Sequence, residues 1–174
     1  LADCSGSMAG APIESVKSGI RELHNELMGD PQSIECAFLS VITFDTDAKQ
    51  LVPLTELPSF KPPDLEASGT TSLGAALRLL AERIEAEVMK TTAEQKGDWK
   101  PLAFLLTDGA ATDDWEAAAD HIKRNVSCTI ICVACGEDAE ADQLKRVSDK
   151  VLVMKDMSPD SFKKFFKWVT ASIK

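Results

Sequence analysis

Three nearly continuous apolar runs, Ile34 to Phe44, Pro101 to Thr107 and Thr129 to Cys135, constrain this chain more than any other feature. Each is short and bounded by polar residues, which is how strands buried on both faces of a helix-covered parallel sheet read. Helical patterns lie between them. Ile13, Val16, Ile20, Leu23 and Leu27 recur at steps of three and four after Pro12, whose fixed φ suits a first helical turn. Leu73, Ala76, Leu77, Leu80, Ile84 and Val88 form a second stripe. Asp113 and Asp114 place acids where a third helix would start, complementing its dipole, and that helix should end near Asn125.

A fourth helix is expected over residues 139–148, a last strand over 151–154, and a final helix with Phe162, Phe165, Phe166, Val169 and Ile173 on one face. Such alternation predicts an α/β fold: a mostly parallel central sheet with helices on both faces and right-handed crossovers. Residues 51–57 are the exception. They follow the first apolar run after too few residues for a parallel crossover, and they contain Pro53, so they read as an antiparallel edge strand.

At 174 residues the chain reads as one domain, 1–174, with a sizeable core. Only Leu1 and Ala2 precede Asp3, whereas a buried central strand needs about five residues, so the first strand is expected to begin upstream of Leu1. The formal charge of −9 opposes non-specific attraction to nucleic acid or anionic lipid. No apolar run approaches the ~20 residues of a membrane span, and the first ten residues lack the pattern of a signal peptide. Of the five cysteines, the three in the apolar stretch 128–135 behave as buried thiols, and the odd number fits a reducing cytoplasm.

Three polar loops stand next to these elements: Asp3-Cys-Ser-Gly-Ser7, Ser68-Gly-Thr-Thr-Ser72 and Thr107-Asp-Gly109. In an open α/β sheet such loops gather at the carboxyl ends of the strands, where ligands bind. They offer hydroxyls and carboxylates but no histidine, and a hard divalent ion such as Mg²⁺ prefers about six oxygen ligands.

With the motif Asp3-x-Ser5-x-Ser7, a threonine in the second loop and Asp108 at a strand end, the sequence resembles a von Willebrand factor A domain with its metal-ion-dependent adhesion site. The resemblance covers nearly the whole chain and implies a three-layer, doubly wound, Rossmann-like fold. It also implies a metal site made of Asp3, Ser5, Ser7, Thr71 and Asp108, with Thr71 favoured over Thr70 by the family register through Ala76-Leu77. The closer likeness is to tellurium-resistance A-domain proteins of the bacterial TerY type. It rests on Cys4 to Glu14, Ser40 to Asp45, Ser68 to Leu77, Lys96 to Leu102, Thr107 to Trp115 and Phe165 to Val169.

That likeness implies a cytoplasmic, non-catalytic interaction module in a stress-response system with kinase and phosphatase partners. Its metal would be Mg²⁺, with Mn²⁺ or Ca²⁺ as substitutes, and a partner's Asp or Glu would supply the last ligand. The family also implies that a closed-to-open switch can move the last helix.

Other readings compete. A Mg²⁺-dependent phosphatase or phosphotransferase on a similar frame would use D-x-D, but position 5 is serine and the acid is missing. A scaffold with an empty site is the third. Cys132-Val-Ala-Cys135 lacks a second ligand pair for zinc, and in a strand its two thiols point to opposite faces. His24 and His121 read as surface or boundary residues. The lysines at 163, 164, 167 and 174 form a solvated face over the aromatic stripe, the alternative being an amphipathic membrane or partner helix. Asp45, Asp47, Asp113 and Asp114 are expected to rim the metal end, steering cations or a basic partner surface.

Overall fold

The computed structural model describes residues 1–174. Its elements, in chain order, are β1 (Ala2–Asp3), α1 (Ala11–Met28), α2 (Pro31–Cys36), β2 (Phe38–Phe44), β3 (Ala48–Glu56), α3 (Leu73–Glu87), β4 (Leu102–Thr107), α4 (Glu116–Asn125), β5 (Thr129–Cys135), α5 (Ala141–Val147), β6 (Val151–Met154) and α6 (Pro159–Ile173). The strands form one sheet in the order β3-β2-β1-β4-β5-β6. All pairings are parallel except β2 with β3, the edge hairpin expected from the short connection and Pro53.

Helices cover both faces. On one, α1 and α6 bury Ile13, Val16, Leu27, Phe162 and Phe166 against Leu106, Val133 and Cys135. On the other, α3, α4 and α5 bury Leu77, Ala119, Ile122 and Leu144 against Leu105, Cys132 and Ala134. Strand β5 therefore sends alternate side chains into two cores, and Cys132 and Cys135 do lie on opposite faces. The lysines at 163, 164 and 167 are exposed on α6 while its aromatic stripe is buried.

The structure corrects four boundaries. Ile34 to Cys36 do not extend a strand; they finish α2, because Asp30 caps that helix by accepting from Ser33 N–H (3.0 Å) and Pro31 opens it. The edge strand is 48–56 rather than 51–57, its tight turn closed by the Asp45 N–H donating to Asp47 O (2.9 Å). The fourth helix shortens to 141–147. The third starts at Glu116, and Asp113 caps a different helix: its carboxylate accepts from Gly74 N–H and Ala75 N–H, both at 2.9 Å, at the start of α3.

Chain order places the site. From β1 the sheet grows one way through β2 and β3 and the other way through β4, β5 and β6. The switch falls between β1 and β4, and the crevice beyond their carboxyl ends is where ligands bind such sheets. The register pairs Ala2 with both Thr43 and Leu106, so Asp3, Phe44 and Thr107 finish side by side.

Candidate metal centre

Asp3 is fully buried at the end of the central strand. One carboxylate oxygen, Oδ1, accepts from Ser5 N–H (2.8 Å) and the other from Thr107 Oγ1 (2.6 Å). The first bond is a local turn that throws the chain into a short 3₁₀ segment, Gly6–Met8. It brings Ser5 Oγ to 3.1 Å from Ser7 Oγ, and Ser7 Oγ donates to Asp108 Oδ1 at 2.8 Å across 101 residues of sequence.

The second loop closes over the first. Gly6 N–H donates to Gly69 O (3.0 Å) and Ser68 N–H to Cys4 O (2.8 Å). Gly69 holds φ +73°, a left-handed conformation that favours glycine, and a Cβ there would sit 2.4 Å from Thr46 Oγ1. This turn brings Thr71 in as the buried threonine, while Thr70 is exposed. The Thr71 hydroxyl faces the third loop, 3.8 Å from where a Cβ on Gly109 would lie. It makes no hydrogen bond of its own; only the Thr71 backbone does, its N–H donating to Thr112 Oγ1 (3.1 Å) and its carbonyl accepting from Thr112 N–H (2.8 Å).

The five residues singled out in the sequence thus meet at one end of the sheet. Asp3, Ser5, Thr71 and Asp108 are buried, and Ser7 is exposed. Two carboxylates share this small volume, yet every ion pair in the molecule involves other acids. Burial pushes the Asp108 carboxyl above its ordinary range; the hydrogen bond from Ser7 opposes this and the neighbouring Asp3 charge adds to it. Unpaired buried charge is costly, and a cation is its natural complement. The donors are all hard oxygens and no group of three or more His, Cys, Asp or Glu gathers anywhere, so the set fits a hard divalent ion rather than a thiolate- or imidazole-bound metal.

Thr107 stands in one of the candidate loops and Asp113 is expected at the rim, but the contacts they make, and Thr112 altogether, escape a reading of the sequence. Thr107 orients Asp3, and Thr112 and Asp113 bind the second loop to the third. A hydroxyl ending an otherwise apolar run is the one sequence signal for Thr107. Asp113 reads locally as the acid of its own helix, so its partner on α3 is invisible before folding.

The sequence model of the von Willebrand factor type A domain matches residues 1–168. The chain belongs to that family. No curated protein matches it in sequence. Among solved structures, this A domain is similar to proximal thread matrix protein 1 from the mussel byssus with a zinc-occupied MIDAS motif. The identity is 19%, the TM-score 0.69, and the match covers 97% of this chain and 45% of that one. It is also similar to a von Willebrand factor type A protein from Catenulispora acidiphila (19% identity, TM-score 0.69, covering 98% and 41%) and to BatB from Bacteroides thetaiotaomicron (16%, 0.63, 98% and 95%). The A domain spans less than half the length of the first solved structures it matches. At such identities the likeness shows the fold alone. No helix is long and apolar enough to cross a membrane.

Proposed function

We propose that this A domain, residues 1–174 taken as one unit, is a non-catalytic interaction module whose binding depends on a divalent metal. Asp3, Ser5, Ser7, Thr71 and Asp108 would hold the ion. The observation that carries this is the pair of buried carboxylates among three hydroxyls with no protein cation to balance them. Mg²⁺ suits the all-oxygen donor set, with Mn²⁺ or Ca²⁺ as substitutes, and the zinc-occupied MIDAS motif of the mussel protein supports a divalent ion on this frame. Bound there, the metal supplies a positive centre that a partner's Asp or Glu can complete.

This chain's own residues set that up. Thr107 and Ser5 N–H saturate one lone pair on each Asp3 oxygen and hold the carboxylate still, while exposed Ser7 places the site at the surface, within reach of another protein. Three of the five ligands are neutral; with one or both aspartates acting through water, the ion would keep much of its positive charge and attract an anion. Position 5 holds a serine where a D-x-D phosphotransferase needs its second acid, which weighs against the enzymatic alternative. The tellurium or stress-response setting, the kinase and phosphatase partners and the cytoplasmic location rest on the sequence resemblance; five free thiols fit a reducing compartment.

Calorimetry tests the assignment. Mg²⁺ should bind the wild type and fail to bind Asp3→Ala or Asp108→Ala, and equal uptake by all three would refute it. A pull-down with the candidate kinase and phosphatase should succeed in Mg²⁺, fail in EDTA, and fail with Thr71→Ala.

A further inference from the structure

The candidate ligands ride on separate segments, so their spacing depends on what ties those segments together. The tie between the Thr71 loop and the Asp108 loop is a four-bond zipper. Thr71 N–H donates to Thr112 Oγ1 (3.1 Å), Thr112 N–H donates to Thr71 O (2.8 Å), and Gly74 and Ala75 N–H donate to the two oxygens of Asp113 (2.9 Å each).

Gly74 and Ala75 are the second and third residues of α3, whose amides have no partner within the helix. A residue at the N-cap normally serves them, but Ser72, which holds that position, turns its hydroxyl to Thr46 O (2.7 Å) instead. Asp113 is therefore a cap supplied from 38 and 39 residues away, with its charge on the positive end of the helix dipole. Fit on this side is close: a Cβ on Gly74 would lie 2.4 Å from Asp114 O. Arg78 steadies the same loop, its guanidinium donating to Asp114 O (3.2 Å) and lying 3.8 Å from Asp113.

We propose that Thr112 and Asp113 are positioning residues that latch the start of α3 to the loop after β4 and so preset the separation of Thr71 and Asp108 before an ion arrives. The proposal rests on the metal-site reading above and adds two residues outside the ligand set. Outer partners that orient metal ligands commonly matter 10- to 100-fold in affinity. Here the orientation is carried by backbone: Thr112 grips both backbone polar groups of Thr71, and Asp113 grips the next turn, so neither residue has to touch the ion.

The test compares wild type with Asp113→Asn, Thr112→Val and Thr112→Ser, reading Mg²⁺ affinity by calorimetry and, in metal-free protein, amide hydrogen exchange at Thr71, Gly74 and Ala75. Asn offers one acceptor where Asp offers two, and Val removes the Thr112 acceptor at constant shape. Both should speed exchange at the amides they release and weaken Mg²⁺ by about 10- to 100-fold. Thr112→Ser keeps the hydroxyl and should restore both readouts. Val147→Ala, in the core beneath α5, should lower the melting temperature without moving the Mg²⁺ affinity, separating a latch from general loosening. If Asp113→Asn does not fold, the Val and Ser variants at exposed Thr112 decide the matter. Wild-type affinity in both Asp113→Asn and Thr112→Val would overturn the latch alone, whereas no Mg²⁺ uptake by wild type would overturn the metal site and the latch with it.

Discussion

Thr107 and the cysteines show how much a single side chain owes to its surroundings. A threonine closing an apolar strand is unremarkable in sequence, yet its hydroxyl fixes the one fully buried carboxylate of the site. The cysteines are chemically alike but differ in setting. Burial pushes the Cys132 thiol up to about 12, and does the same for Cys4 and Cys135, with the Asp3 charge adding at both. Cys36 is exposed. Native protein at pH 8 should therefore be alkylated at Cys36 first, with Cys4, Cys132 and Cys135 reacting only after unfolding, as peptide mass spectrometry would show; equal labelling would contradict their burial. The sign of the pH effect follows. A raised thiol pKa contributes stability that is fully present below the ordinary value of 9.0 and is lost as pH rises towards about 12, so denaturant midpoints should fall over that alkaline window.

Between elements, α1 and α6 pack closely at Gly19. A Cβ on Gly19 would lie 2.0 Å from Cδ2 of buried Phe166, so the absent side chain is what lets the aromatic ring seat. In an isolated helix Gly19→Ala would gain about 1 kcal/mol of propensity, but overpacking a filled core costs about 1–3 kcal/mol. Net destabilisation of up to about 2 kcal/mol is expected by chemical denaturation, and a more stable variant would show that Phe166 yields easily. At the far edge, Glu87 at the end of α3 accepts from Gln50 Nε2 (2.8 Å) and Leu54 N–H (2.5 Å), binding the helix to the edge strand. Most of these elements were legible beforehand. The stripes of α1, α3 and α6 repeat at helical spacing, and β4 and β5 are apolar on both faces as doubly covered strands must be. The run from Ile34 misled because hydropathy alone does not separate a short buried helix from a strand, and the capping signal in Asp30-Pro31 decided it.

Taken whole, the molecule places an acidic, oxygen-lined crevice at the switch point of its sheet and a lysine-bearing face on its last helix. Since the folded chain alone assembles the crevice, an ion bound there stabilises it by mass action: at about 100 times the dissociation constant Mg²⁺ should add about 2.7 kcal/mol. Thermal melts in Mg²⁺ and in EDTA should differ for the wild type and coincide for Asp3→Ala; coincidence in both would mean that the crevice takes no ion. By itself the sequence determined most of the helices and strands, α2 being the exception, which faces they bury and which polar loops lie at strand ends, because propensity, capping and periodicity are encoded within a few residues. Only the tertiary structure decided that Ser7 meets Asp108, that Thr107 holds Asp3 and that Asp113 caps α3 rather than its own helix. Those contacts join residues far apart in the chain, and sheet order and register, set by the packing of all the elements together, are what bring them within a hydrogen bond of each other.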